Sequence, residues 1–199
     1  MRSFHRSSAL AFLIALPLAA SAHTGVDGGI HHGFATGFFH PLTGADHLAA
    51  MVAVGLWSAL TARRAWPDLL WAPTGFAVML LAGALAGLAS IHLPAVEPMI
   101  AASLLVLGLL VVTQRRLPAL AAASLVGVFA VFHGVAHGQE LASESGAALT
   151  LAGMLAATVL LHVVGIAAGW SLRHGHRWAP RLAGAGVAAF GVALLGGLA

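Results

Sequence analysis

Three short stretches place metal-ligating or hydrogen-bonding side chains within apolar sequence. In HPLTGADH, His40, Asp46 and His47 stand at the head of the apolar run LAAMVAVGLWSAL. In FHGVAHGQE, His133, His137 and Glu140 close another such run. In LPAVEP, Glu97 stands at the opening of a third. Spacing groups these residues further. His133 and His137 are four apart and share a helix face, and Glu140, seven from His133, stays on it. His40 and His47 are also seven apart, about two turns, so they share a face of the first span, with His47 about 10 Å deeper than His40. Pro41 suits the first turn of that helix, where its missing N–H is not needed. Met51 lies one turn beyond His47 on the same face. Imidazole and carboxylate together suit borderline divalent ions such as nickel, cobalt, zinc and copper(II). The chain has no cysteine, so thiolate traps, disulfides and thiol nucleophiles are absent from its chemistry.

What must position these groups is a membrane-embedded bundle. Of 199 residues, 60% are hydrophobic and 8% charged, against about 25% charged in soluble domains. Too little polar material exists to clothe a soluble exterior, so the predicted class is an all-α, polytopic membrane protein. The basic residues are nine arginines and no lysine, with a formal net charge of +3. They fall as spaced groups between apolar runs rather than on one domain, which marks topology and argues against a nucleic-acid partner.

Residues 1–22 read as a signal peptide. Arg2 and Arg6 precede a short apolar core, and Ala20-Ser21-Ala22 forms the cleavage site. The mature domain, 23–199, is predicted to hold six transmembrane helices, over 41–62, 69–91, 98–114, 117–137, 147–170 and 180–198. The connections holding Arg63-Arg64, Arg115-Arg116, and Arg173, Arg177 and Arg181 alternate with two that hold no arginine. By the positive-inside rule the arginine loops are cytoplasmic, so both mature termini are periplasmic in a bacterial inner-membrane protein. Glycines within the spans, such as Gly83 and Gly87, Gly165 and Gly169, and Gly184 and Gly186, are read as close-packing positions.

On this topology His40, Asp46, His47, Glu97, His133, His137 and Glu140 all come to the outer third of the membrane. Polar groups there must pair, line water or bind an ion. A structural network of His–carboxylate bonds is one reading, and loop-end residues touching water another, the latter for His92, Glu144 and His31. Convergence of this many groups points instead to an ion site. Enzyme chemistries lack their signatures. There is no H-E-x-x-H, and Ser103, Ser124 and Ser143 have no nucleophile context. A haem-binding electron-transfer protein, with His47 and His133 as axial ligands on facing helices, is the competing class. His162, past the midplane, reads either as a residue bonded to a backbone carbonyl or as a relay toward the cytoplasm. If cleavage follows Ala22, the free amine and imidazole of His23 chelate a metal together, with His31 and His32 nearby.

These motifs resemble those of the HupE/UreJ family of membrane nickel permeases. The resemblance rests on HPLTGADH, FHGVAHGQE and LPAVEPMIAAS, and extends over essentially the whole mature chain. It implies uptake of divalent nickel in support of hydrogenase or urease maturation, with Ni(II) as transported substrate and no organic cofactor. Cobalt and zinc remain alternative cargoes. On the family pattern His40, Asp46 and His47 match the first motif, and His133, His137 and Glu140 the second. The partners implied are the metal ion and the lipid bilayer. No nucleotide-binding G-x-x-x-x-G-K-[ST] motif is present, which points to a channel-like or secondary carrier rather than a pump or enzyme.

Overall fold

The computed structural model describes residues 33–63, 67–142 and 146–197. The predicted signal peptide, His23, His31, His32, Arg64 and Glu144 lie outside them. The described residues form seven helices: α1 Phe34–Thr43, α2 Ala45–Thr61, α3 Trp71–Leu88, α4 Val96–Thr113, α5 Ala119–Leu141, α6 Ala147–Arg173 and α7 Ala179–Leu195. The helices α3, α4, α5 and α6 are long and apolar enough to cross a membrane, while α2 and α7, at 17 residues each, are shorter apolar helices. Their outward faces carry large apolar side chains, including Leu120, Val128, Val163 and Leu182. Such surface belongs against lipid rather than water.

Two expectations about the first span need correction. The helix begins at Phe34, not at residue 41, so Pro41 lies near the end of α1 instead of in a first turn. The chain also breaks at Gly44, whose extended backbone (φ −81°, ψ 109°) separates α1 from α2. Proline cannot donate to the Gly37 carbonyl one turn back, and the last turn closes with the His40 carbonyl accepting from the Gly44 N–H at 3.2 Å and from Thr43 Oγ1 at 2.9 Å. The helix thus ends just beyond Pro41, and His40 and His47 sit on separate segments rather than along one continuous face. Gly44 also suits the corner sterically. A Cβ there would crowd Asp46 Oδ1 and His47 Nδ1.

Bilayers offer no hydrophobic effect between helices, so close backbone approach must hold the bundle together. Glycines supply it in reciprocal pairs. Between α3 and α5, Gly83 meets the Val131 carbonyl, while Gly134 and Gly138 meet the carbonyls of Leu80 and Ala84. Between α2 and α6, Gly55 faces the His162 carbonyl and Gly165 that of Val52. Gly37 of α1 meets Thr150 of α6, and Gly153 answers against Phe34. Gly108, Gly184 and Gly191 fasten α4 to α7. Gly186 is the exception to the sequence reading, since it faces open space.

The numbering of these contacts makes α2 run parallel to α6, and α3 parallel to α5. The bundle therefore has two distinct ends. At one end Trp57 Nε1 donates to the Arg115 carbonyl at 3.0 Å, and Arg173 reaches the Ala59 carbonyl at 3.4 Å. Arg173 also stacks on Trp170, 4.9 Å from its ring centroid. At the other end Gln139 Nε2 donates to the Ile91 carbonyl. The core between them is built from Met51, Val54, Trp57, Phe76, Leu80, Leu104 and Leu107, all buried.

Candidate metal centre

The local sequence explains why α5 presents imidazoles inward. Each histidine in FHGVAHGQE is followed by a glycine whose missing Cβ lets the α3 backbone lie against α5. That contact fixes the rotation of α5. His133 and His137, one turn apart, then face the interior and are fully buried. Asp46 serves the α2 terminus. Its Oδ1 accepts the His47 backbone N–H at 2.8 Å, satisfying one of the amides a helix start leaves open. The same oxygen lies 2.8 Å from His47 Nδ1.

Together these segments arrange four imidazoles in a file. His40 meets His137 edge-on with ring centroids 4.9 Å apart, His137 meets His47 at 4.4 Å, and His47 meets His133 at 4.8 Å. Exposure falls along the file. The His40 side chain is 31% exposed and that of Glu140 44%, whereas those of His137 and His47 are at 1%; His133 is at 0%. Glu140 Oε2 stands at the rim, 3.5 Å from His40 Nε2 and 3.6 Å from His137 Nδ1. One donor atom from each of His40, His137 and Glu140 falls within 4.8 Å of the others. Metal–ligand bonds of about 2.0–2.2 Å bring the donors of one ion to about 3–4 Å from each other. A small inward movement of the exposed Glu140 side chain would meet that requirement.

Hydrogen bonds set the tautomers deeper in. A carboxylate only accepts, so His47 carries its proton on Nδ1 and its lone pair on Nε2. For His133 the proton count is equally restrictive. Ser103 Oγ donates its one proton to the Ile100 carbonyl at 2.6 Å and lies 3.0 Å from His133 Nε2. Nε2 must therefore donate to the serine, which leaves the lone pair on Nδ1. That Nδ1 is buried without a hydrogen-bond partner, as are both ring nitrogens of His137. Buried nitrogens are normally satisfied, and the Nδ1 lone pair of His133 and the one lone pair of a neutral His137 are each suited to a metal ion. The arrangement can hold a divalent ion through neutral imidazole and one carboxylate, with Asp46 and Ser103 orienting the rings from behind.

His40, His47, His133, His137 and Glu140 are thus brought together, with Asp46 attached through His47. Glu97 is not part of this cluster. It lies exposed in the first turn of α4. Exposed His92 bonds the Ser90 carbonyl through Nδ1 at 2.8 Å, in keeping with a loop-end residue. The His47 and His133 rings touch directly, at 89° to one another, which leaves no slot for a macrocycle between them as the haem reading requires. Two residues packed beside the imidazole file had no sequence signal. Ser103 reads as one small residue in an apolar helix. Phe76, buried against both His133 and His162, reads as ordinary core.

Comparison with known proteins identifies the family. The family described as HupE / UreJ protein matches residues 10–194. Protein HupE of Rhizobium leguminosarum bv. viciae is 43% identical over 187 residues, covering 92% of this chain and 94% of the relative. No solved structure matches the chain.

Proposed function

The chain belongs to the HupE/UreJ family, and from that premise we propose that it carries a divalent transition metal, foremost Ni(II), from periplasm to cytoplasm. The observation that carries the reading is the file of four touching imidazoles, which leads from a half-exposed rim with a carboxylate into the buried core. A hydrated ion loses water to His40, His137 and Glu140 at the rim and passes to His47 and His133. Asp46 acts here chiefly through His47, as carboxylates behind metal-binding histidines do. Glu97, at the same end of the bundle, adds negative potential above the mouth rather than a ligand.

In the same reading α1 and α2 together make the first of six spans, and α3 to α7 make the rest. Residues 1–22 are the cleaved signal peptide, and His23 becomes a metal-capturing N-terminus. Arg63, Arg115, Arg116, Arg173, Arg177 and Arg181 mark the cytoplasmic end, with both mature termini in the periplasm. An inside-negative potential then drives a double charge inward with about 4.6 kcal/mol per 100 mV. The test is radiolabelled nickel uptake by cells bearing wild type or His47→Ala, with cobalt and zinc as competitors. Wild-type uptake that survives the substitution would end the assignment of this site.

A further inference from the structure

Resting on that transport reading, we infer that Phe76 is the internal gate of the pathway, its ring closing the way between the imidazole file and an inner station at His162. The file ends at His133. Beyond it stands Phe76 of α3, fully buried, with its centroid 5.7 Å from the His133 ring. The same phenyl ring meets His162 of α6 at 5.3 Å and 86°. The two imidazoles do not meet each other; each meets Phe76. On both sides a ring nitrogen is left buried and without a hydrogen-bond partner, Nδ1 of His133 and Nε2 of His162.

That symmetry of unmet nitrogens about one apolar ring is what separates His162 from an ordinary core residue. The sequence alternative, a ring bonded to a backbone carbonyl, leaves Nε2 unexplained. A leucine or phenylalanine at 162 would fill the space without a buried polar nitrogen. A phenyl ring has no lone pair for a dehydrated cation and excludes a hydrated one, which is how hydrophobic constrictions close a path. Rotation of the ring would let an ion leave His133 Nδ1 for His162 Nε2 without passing through bulk apolar space. Polar groups resume beyond the barrier. Ser58 follows His47 by three turns on the same face of α2, and its Oγ is also buried without a partner. Ser58 lines a cavity of about 400 Å³ at the arginine end, with Trp57, Thr61, Arg63, Asp68 and Arg116.

The experiment uses the full-length protein in phosphatidylethanolamine and phosphatidylglycerol liposomes with an inside-negative potassium diffusion potential. Ni(II) uptake is read by an entrapped fluorescent chelator, and equilibrium Ni(II) binding is measured on the same preparations. Phe76→Leu should raise the initial uptake rate several-fold, and Phe76→Trp should slow it, each with unchanged equilibrium affinity for the outer site. His162→Ala should lower the rate several-fold, again with outer-site affinity intact. Monodispersity by gel filtration confirms that each variant is folded, and the leucine variant keeps enough apolar bulk to do so. A wild-type rate for either Phe76→Leu or His162→Ala would overturn the gate. His47→Ala separates the two readings, since it should abolish equilibrium binding. Binding that persists in His47→Ala overturns the outer site itself, whereas lost binding there with normal uptake in His162→Ala overturns the gate alone.

Discussion

Replacing Asp46 with asparagine tests how the file is held in its binding tautomer. Asp46 Oδ1 receives both the His47 backbone N–H and the ring Nδ1–H, each at 2.8 Å. Hydrogen bonds to a charged group contribute about 1.5–3 kcal/mol each. Asparagine keeps the size and one accepting oxygen, so the α2 terminus retains its cap. The negative charge that favours Nδ1 protonation, and so exposes the Nε2 lone pair, is lost. Partners placed behind a metal-bound histidine typically matter by about 10- to 100-fold in affinity, which is about 1.4–2.8 kcal/mol. Titration calorimetry of Ni(II) into detergent-solubilised Asp46→Asn should therefore show binding weakened within that window, with an unchanged melting temperature. His47→Ala, which removes the ring linking His137 to His133, should instead abolish measurable binding. Equal loss in the two variants would make Asp46 a direct ligand, and wild-type affinity in Asp46→Asn would refute the tautomer argument.

Ser103→Ala removes the acceptor for His133 Nε2–H and should weaken Ni(II) binding several-fold in the same calorimetric assay, while Ser103→Thr, which keeps the hydroxyl, should restore it. Gly134→Ala drives a methyl group into the Leu80 carbonyl and should destabilise the α3–α5 pair by about 1–3 kcal/mol, read as a lower melting temperature in detergent; an unchanged value would mean the seam is not tight. Imidazole binds metal only when neutral, so acidifying the outer buffer should slow liposome uptake monotonically, and uptake accelerated by acid would contradict a histidine-lined path.

The sequence revealed position along a helix far better than the direction in which each helix faces. His133 and His137 were legible because their spacing and the apolar run around them leave one face for both, and burial of such groups demands a purpose. Glu140 followed from the same arithmetic once α5 continued through Gly138. The relation of His40 to His47 was misread, because an unbroken helix was assumed where Pro41 and Gly44 divide the chain. Glu97 shows the other limit. The short loop before it places it at the opening of α4, as read from the sequence, yet the rotation of α4 leaves it exposed and turns Ser103 inward instead. Rotation is decided by glycine seams between helices, and a seam needs two partners. One chain pattern shows where small residues lie but not which carbonyl each will meet.

A cage of six donors around one point would bind a divalent ion tightly and release it slowly. The molecule instead spaces its imidazoles at 4.4–4.9 Å along a line, each ring touching the next. At that spacing an ion held by one pair is already close to the next donor, so each step exchanges ligands without first paying full dehydration. Nitrogen donors predominate, and among the described residues two carboxylates approach the file, one at the rim and one behind His47. On the proposed route, charge therefore falls away inward, which would prevent a deep electrostatic trap where water is scarce. Conduction requires sites favourable enough to fill and weak enough to empty. A graded file with its anions near the mouth meets both demands, and a membrane potential acting on two charges can do the remaining work.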